Sequence, residues 1–164
     1  MNELPERLDC AACEESIRHL QKLVATTEGV DRARALIELG NAAHIALRLD
    51  LALASFGACV DLLPPGKFAD LECQAIFKES CVLAELRLYD EAIERVTKAK
   101  EISKRQGDLE HLSLCEWKQG VYCACIGRET EAFELISAAR DRYLELMRPG
   151  MAALVELDLY PTTW

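Results

Sequence analysis

The sequence predicts an all-α fold of repeated helix pairs, and three observations support that prediction. Small and large apolar residues recur at a spacing of forty residues over most of the chain. Each recurrence contains two segments with the apolar spacing of a helix, and residues that stop helices lie between them. The composition also favours helix, because only five prolines and eight glycines occur among 164 residues that are rich in alanine, leucine, glutamate and arginine.

The period of forty residues is clearest in columns of equivalent positions. One column is alanine in all three units: Ala52, Ala92 and Ala132. A second column contains small residues: Gly40, Ser80 and Gly120. A third contains large apolar residues: Phe56, Val96 and Ile136. A small side chain lets a neighbouring helix come close and a large one fills the space beside it, so the columns predict one unit repeated three times.

Each unit is predicted to contain two helices. The first helices are expected over three ranges: 32–49, 68–88 and 109–126. Three residues at equivalent positions are typical of N-caps and are expected to begin the second helices: Asp50, Asp90 and Thr130. A single domain is predicted for residues 1–164. Its parts are a leading helix, three repeats and a C-terminal cap or tail: 5–28, 32–66, 67–107, 108–148 and 149–164.

The sequence resembles the tetratricopeptide repeat family. Five residues of the first unit have the spacing of its consensus: Leu36, Gly40, Ala52, Phe56 and Pro64. In the second unit, Tyr89-Asp90-Glu91-Ala92-Ile93 is close to the most typical stretch of the family. The period is longer than the usual repeat of about thirty-four residues, which indicates the forty-residue-period subgroup. The resemblance implies a right-handed superhelical stack of antiparallel helix pairs, with about seven helices and a short C-terminal helix.

Two residues depart from the pattern of the family. Glu79 and Gln119 stand in the column where the first unit has Leu39.

The resemblance also implies a concave groove lined by one stripe of each first helix. On this sequence the stripe contains eight residues that are expected to bind a partner: Arg34, Ile37, Asn41, His44, Phe77, Cys81, Trp117 and Val121. The apolar column of Ile37, Phe77 and Trp117 suggests a groove for an apolar or amphipathic segment, and packing between helices is the alternative for this column. Asn41 matches the asparagine with which members of the family hold a peptide backbone.

Charge and motifs weigh against several classes of function. A net charge of −9 and the lack of a basic stripe disfavour binding to nucleic acid. The acidic start of the chain does not resemble a signal peptide and no apolar run suits a membrane span, so a cytoplasmic location is expected. No phosphate-binding loop, nucleophile elbow or paired-carboxylate motif occurs, so neither enzymatic activity nor a cofactor is expected.

The predicted function is therefore a cytoplasmic adaptor or scaffold that binds a helical or extended apolar segment of another protein in its groove. Three alternatives stay open: a peptide-sensing regulatory module, a chaperone for secreted proteins and a self-assembling structural subunit. A homodimer through the C-terminal segment is a further alternative, because residues 151–159 carry more apolar surface than a free tail should.

The eight cysteines are predicted to be free thiols that bind no metal. Cys59, Cys115 and Cys123 occupy columns that otherwise contain alanine or leucine, which is typical of core positions. The pair Cys10 and Cys13 lies one helical turn apart but supplies only two ligands.

Alkylation of the denatured protein without reductant, followed by mass spectrometry, should modify every cysteine. The physical reason is that a cytoplasmic chain keeps its thiols reduced. A pair of cysteines protected from alkylation until reductant is added would contradict this prediction, and so would a stoichiometric zinc ion in the native protein.

Overall fold

A computed structural model describes residues 10–159, and all the regular structure in this range is helical. The helices are, in chain order, α1 (Cys10–Thr26), α2 (Gly29–Ile45), α3 (Leu49–Leu62), α4 (Ala69–Glu85), α5 (Tyr89–Gln106), α6 (Leu109–Cys125), α7 (Glu129–Glu145) and α8 (Pro149–Leu159). The predicted fold class, an all-α stack of helix pairs, is confirmed. The first part of the predicted leading helix and the last part of the predicted tail lie outside the described residues.

The structure divides into two compact units, which are larger than the sequence repeats and are called unit 1 and unit 2 from here on. Unit 1 ends at Lys78 and unit 2 begins at Glu79, inside α4. In unit 1, α1 packs against α2 and α2 packs against α3. In unit 2, α5 packs against α6, α6 against α7 and α7 against α8. In each of these pairs, the two helices that pack against one another are consecutive in the chain. A single domain for the whole chain stays a prediction.

The period of forty residues is visible in the helix boundaries. The first helices of successive repeats begin at equivalent residues: Gly29, Ala69 and Leu109. The second helices do the same: Leu49, Tyr89 and Glu129. Pro149, where α8 begins, is forty residues after Leu109, so α8 has the register of one more first helix.

The link between a first and a second helix has three residues and is closed by the backbone. After α2, Leu47 adopts the left-handed conformation with a φ of 57°. The Arg48 N–H then donates to the Ala43 carbonyl at 2.8 Å, which is the Schellman arrangement at a helix end. Arg87 and Gly127 have the same conformation at equivalent positions.

This turn explains why the predicted N-caps are wrong. Asp50, Asp90 and Thr130 are the second residues of α3, α5 and α7. The residues at the cap positions, such as Arg48, form no side-chain cap hydrogen bond. Since the left-handed residue of the turn already fixes where the second helix begins, no capping side chain is needed. A carboxylate in the first turn, such as that of Asp50, still interacts favourably with the helix dipole.

The columns of small and large residues mark a close approach of helices in each unit. A Cβ atom built on Gly40 of α2 would lie 2.5 Å from Phe56 Cε1 of α3, so even one methyl group does not fit. In unit 2, a Cβ atom on Gly120 of α6 would lie 2.6 Å from Ile136 Cγ1 of α7. The predicted pairing of a small residue on the first helix with a large one on the second is therefore confirmed at both places.

The two polar residues in the column of Leu39 are buried in unit 2 with partners from α5. The Glu79 carboxylate lies 3.5 Å from Arg95 Nε. Gln119 accepts a hydrogen bond from Lys100 Nζ at 2.6 Å and donates one to Thr97 Oγ1 at 3.2 Å. These partners explain how polar residues replace a core leucine, because a buried polar group is tolerated once it is hydrogen-bonded.

The last helix, α8, packs against α7. Their shared apolar cluster contains Ile136, Ala139, Tyr143, Ala152, Val155 and Leu159. Leu154 and Leu157 lie on another side of α8 and are exposed. The apolar surface of residues 151–159 is therefore only partly used within unit 2.

None of the cysteines whose side chains are described forms a disulfide, and Cys59, Cys115 and Cys123 are buried as core positions require. Cys10 lies outside the residues whose side chains are described. Across residues 10–159, no helix combines the length and the apolar character that crossing a membrane requires.

Replacing Gly40 with alanine should destabilise the protein by about 1–3 kcal/mol, because the added methyl group overlaps the Phe56 ring. In a chain of this size, that change corresponds to a lower melting temperature by about 2–4 °C per kcal/mol. Thermal unfolding followed by circular dichroism measures the shift.

Gly57, in the middle of α3, provides the matched control. A Cβ atom there would meet no atom within 4 Å, so Gly57→Ala should stabilise the helix. The expected gain is about 0.5–1 kcal/mol, from the lower backbone entropy of the unfolded chain. Equal effects of the two substitutions would show that α2 and α3 do not approach closely at Gly40.

Candidate functional site

In unit 1, the predicted partner-binding residues divide into a buried pair and an accessible group. Ile37 of α2 is 2% exposed and Phe77 of α4 is 6% exposed, so both side chains contribute to packing. Arg34 is exposed, and Asn41 and His44 are partly exposed. The polar part of the predicted stripe is thus available to a partner, whereas a role of Ile37 and Phe77 in binding stays a prediction.

In unit 2, the predicted residues Cys81, Trp117 and Val121 all keep part of their surface exposed. Trp117 and Val121 lie one helical turn apart on α6 and pack against the apolar cluster that α7 and α8 share. The Trp117 indole Nε1 donates a hydrogen bond to Asp158 Oδ2 of α8 at 2.7 Å. The Cys81 sulfur lies 3.7 Å from the Tyr122 hydroxyl.

A pocket of about 660 Å³ opens in unit 2, and the Asp158 side chain that accepts the Trp117 hydrogen bond is part of its wall. Its apolar walls are Ala124 of α6, Ala132, Phe133 and Ile136 of α7, and Leu159 of α8. Its polar walls are Glu129 and Thr130 of α7 and Asp158 of α8. The volume lies within the range of about 300–1,000 Å³ that is usual for ligand pockets, and apolar walls with few polar groups are typical of them.

Phe133 is the most accessible large apolar side chain of the pocket, at 55% exposed. At the equivalent positions of the first and second repeats, Leu53 and Ile93 are partly buried. Phe133 therefore offers apolar surface that the other second helices cover, and covering it would contribute about 25 cal/mol per Å².

The carboxylates of Glu129 and Asp158 give the pocket a negative charge. Neither forms an ion pair with any other residue of the described range 10–159. Arg128, next to Glu129 in sequence, is engaged elsewhere, because its guanidinium lies 3.6 Å from Asp90 and 3.8 Å from Glu131. The pocket therefore combines an exposed aromatic ring with two carboxylates that form no ion pair within residues 12–159.

A second group of chemically active side chains lies between α5 and α6. His111 Nδ1 is 2.8 Å from Ser103 Oγ and 3.6 Å from Cys115 Sγ. Burial lowers the pKa of His111, although the nearby Asp108 carboxylate opposes that shift. Ser103 and Cys115 are both fully buried, so a substrate has no access to either nucleophile. We interpret this group as part of the core.

Comparison with known proteins bears on the fold. The chain is similar to RapI in the crystal structure of its apo form, with a TM-score of 0.83 and 14% sequence identity. The similarity covers 93% of this chain and 56% of the RapI chain, so this chain spans little more than half of RapI. No protein-family model matches the sequence, and no curated protein matches it. The similarity supports a helical repeat fold, while membership of the tetratricopeptide repeat family stays a prediction.

The sequence analysis missed the pocket residues Phe133, Glu129 and Asp158. In the forty-residue period, Phe133 falls at the position of Leu53 and Ile93, where an apolar residue of a second helix is expected. The periodicity of the sequence gives the helix face on which each of these residues lies, but it gives no signal for the cavity that three helices enclose. Among the side chains of residues 12–159, which the structure describes, no cluster of three or more histidine, cysteine or acidic residues is arranged to bind a metal ion.

The stability of the protein should fall as the pH drops below about 6.5, the usual pKa of histidine. Because the pKa of folded His111 is lowered, the unfolded chain takes up a proton that the folded protein resists, which favours unfolding in acid. His111→Gln should therefore lose less stability than the wild type between about pH 7 and pH 5. Urea unfolding at the two pH values measures the difference.

His19→Gln on the exposed surface of α1 is the control for this experiment. Both variants lose one histidine and keep the same carboxylates, so a smaller loss of stability in His111→Gln than in His19→Gln belongs to position 111. An identical pH dependence in His111→Gln and the wild type would contradict the assignment.

Proposed function

We propose that this protein is a cytoplasmic binding module that holds an apolar helical or extended segment of another protein. Trp117 and Val121 carry the proposal, because both are partly exposed and pack against the cluster whose Ile136 and Leu159 also line the pocket. Apolar surface that continues into an open pocket is typical of a site that receives a segment of a partner.

The accessible polar residues of unit 1 support the same proposal. Arg34, Asn41 and His44 lie along one face of α2 and keep exposed surface. An amide side chain such as that of Asn41 can both donate to and accept from a peptide backbone. In the proposed function, these three residues of unit 1 make polar contacts to a partner.

A module that responds to a peptide ligand is the second candidate. The similar structure of RapI is of an apo form, which is the form of a protein without its ligand. In a regulatory module, the bound segment would be a free peptide rather than part of a larger partner. The same surface would serve both functions.

Self-association through the C-terminal segment is the third candidate. In unit 2, α8 already packs its Ala152, Val155 and Leu159 side chains against α7. A dimer made by exchange would replace these contacts with the same contacts to a second copy. Sedimentation over a wide range of concentrations separates this arrangement from a monomer.

A photoreactive phenylalanine analogue at position 121 or 133 should cross-link to the same partner protein in an extract of the native cells. The reason is that both positions border the proposed site. Binding of the purified partner should then weaken by about tenfold in Phe133→Ser, the loss typical of an apolar anchor. Fluorescence anisotropy with the labelled partner segment measures this change.

The analogue at Leu23 of α1 is the control, because Leu23 is a partly exposed apolar residue far from the pocket in sequence. Leu23→Ser should bind the partner like the wild type. The proposed function would be wrong if position 23 gave the same cross-links, or if Phe133→Ser bound with unchanged affinity.

A further inference from the structure

One side of α8 is both apolar and exposed. Leu154 and Leu157 are 51% and 70% exposed, and the exposed residues Gly150 and Ala153 share their side of the helix at helical spacing. These four residues are called the outward face of α8. The opposite side of α8 packs against α7, and a helix that is apolar on both sides is normally buried on both. Among residues 10–159, nothing gives the outward face that cover.

The comparable face of α1 is polar. By the period of forty residues α1 has the register of a second helix, so Ser16 and His19 are equivalent to Phe56 and Cys59 of α3. Phe56 and Cys59 are fully buried, whereas Ser16 and His19 are exposed. In a repeat array, a helix face that meets water needs polar residues to stay soluble. The face of α1 follows this rule and the outward face of α8 does not, which indicates that the latter is an interface.

One further second helix, placed as in the repeats, would not cover this face. Because α8 has the register of a first helix, Leu154 and Leu157 are equivalent to Arg34 and Ile37 of α2. The packing around α2 buries Ile37 but leaves Arg34 exposed. The same packing around α8 would therefore leave Leu154 exposed. An occupant that covers both leucines has to lie along the outward face itself.

The outward face is complementary to a second copy of itself. If two copies of α8 pair antiparallel about a two-fold axis between positions 153 and 154, Gly150 lies opposite Leu157 of the second copy. Ala153 then lies opposite Leu154 of the second copy. Each leucine meets a small residue, which is the arrangement that brings α2 close to α3 at Gly40. In a single copy, a Cβ atom at Gly150 would meet no neighbouring atom within 4 Å, so this space is open.

Charge favours the same antiparallel orientation. Arg148 immediately precedes α8, whereas Glu156 and Asp158 lie in the second half of the helix. In the antiparallel pair, Arg148 of each copy comes level with the acidic half of the other α8, and opposite charges attract there. Arg148 stays 56% exposed although it lies 3.3 Å from Glu110, so it is accessible to a second copy. The net charge of −9 opposes approach only weakly at physiological salt, which screens exposed charges beyond about 8 Å.

We propose that two copies of this protein pair through the outward faces of α8 in an antiparallel two-fold dimer. Each copy keeps α8 packed on its own α7, so this dimer differs from one made by exchange. The proposal is independent of the binding of a partner segment, because neither Leu154 nor Leu157 lines the pocket. One short helix from each copy makes an interface below the range of about 1,200–2,000 Å² for stable complexes, so the dimer forms reversibly with concentration.

Sedimentation equilibrium of the full chain, from micromolar to millimolar concentration, measures the dimer. We expect a reversible monomer–dimer equilibrium in the wild type. Leu157→Ser should raise the dissociation constant by at least about tenfold, because it removes two of the four leucines from the interface. Leu88→Ser is the matched control, since Leu88 is an exposed leucine beside the start of α5, and it should dimerise like the wild type.

Gly150→Gln separates the contact between copies from the stability of α8. In a single copy the new side chain has open space, and glutamine favours a helix more than glycine does, so the melting temperature should not fall. In the dimer the same side chain would meet Leu157 of the second copy. The dissociation constant should therefore rise by about tenfold while the protein stays folded.

A photoreactive phenylalanine analogue at position 157 identifies the contact directly. A ring opposite Gly150 repeats the pairing of Phe56 with Gly40, so the analogue suits the proposed interface. Mass spectrometry should find it linked to the peptide of the second copy that contains Gly150. Cross-links to any other part of the second copy would contradict the proposal.

Two further results would also overturn the proposal. A monomer at every concentration would mean that something else covers the outward face, either residues 160–164 or a different protein. A dimer that persists unchanged in both Leu157→Ser and Gly150→Gln would mean that the copies associate elsewhere, as they would in a dimer made by exchange. Neither result bears on Phe133→Ser, which tests the proposed function separately.

Discussion

The close approach of a first helix to its second helix is the contact on which the rest of the structure depends. Gly40 and Gly120 leave room for Phe56 and Ile136, and an added Cβ atom at either glycine would overlap the large side chain. Such a contact permits only one register between two helices, because a shift of one residue would place a side chain where none fits. Each unit therefore specifies its own geometry through one small residue and one large residue.

The candidate site lies beside the last described helix. Because α8 begins forty residues after α6, it keeps the register of a first helix. Its Asp158 and Leu159 side chains form one wall of the pocket, and α7 supplies Phe133 and Glu129. The surface on which the proposed function depends is therefore made by a first helix and a second helix of the same repeat pattern.

The amino-acid sequence was sufficient to predict the fold because periodicity depends on side-chain size, which can be seen directly in the columns. It was not sufficient for the helix starts, since the left-handed turn at Leu47 depends on backbone hydrogen bonds that leave little compositional signal. The candidate site was predicted only in part. Trp117 and Val121 are accessible, but Ile37 and Phe77 are buried, because the family stripe shows which face a residue is on and not what covers it.

The turns between helices also bear on how such a protein evolves. They are closed by main-chain hydrogen bonds, such as that from Arg48 to Ala43, and one left-handed position accepts leucine, arginine or glycine. A link that depends on the backbone tolerates nearly any side chain on its surface, so mutations there can accumulate without loss of the architecture. Only a few small and large core residues must then be inherited, and descendants of one ancestor can keep the same helices after their sequences have become unrecognisable to one another.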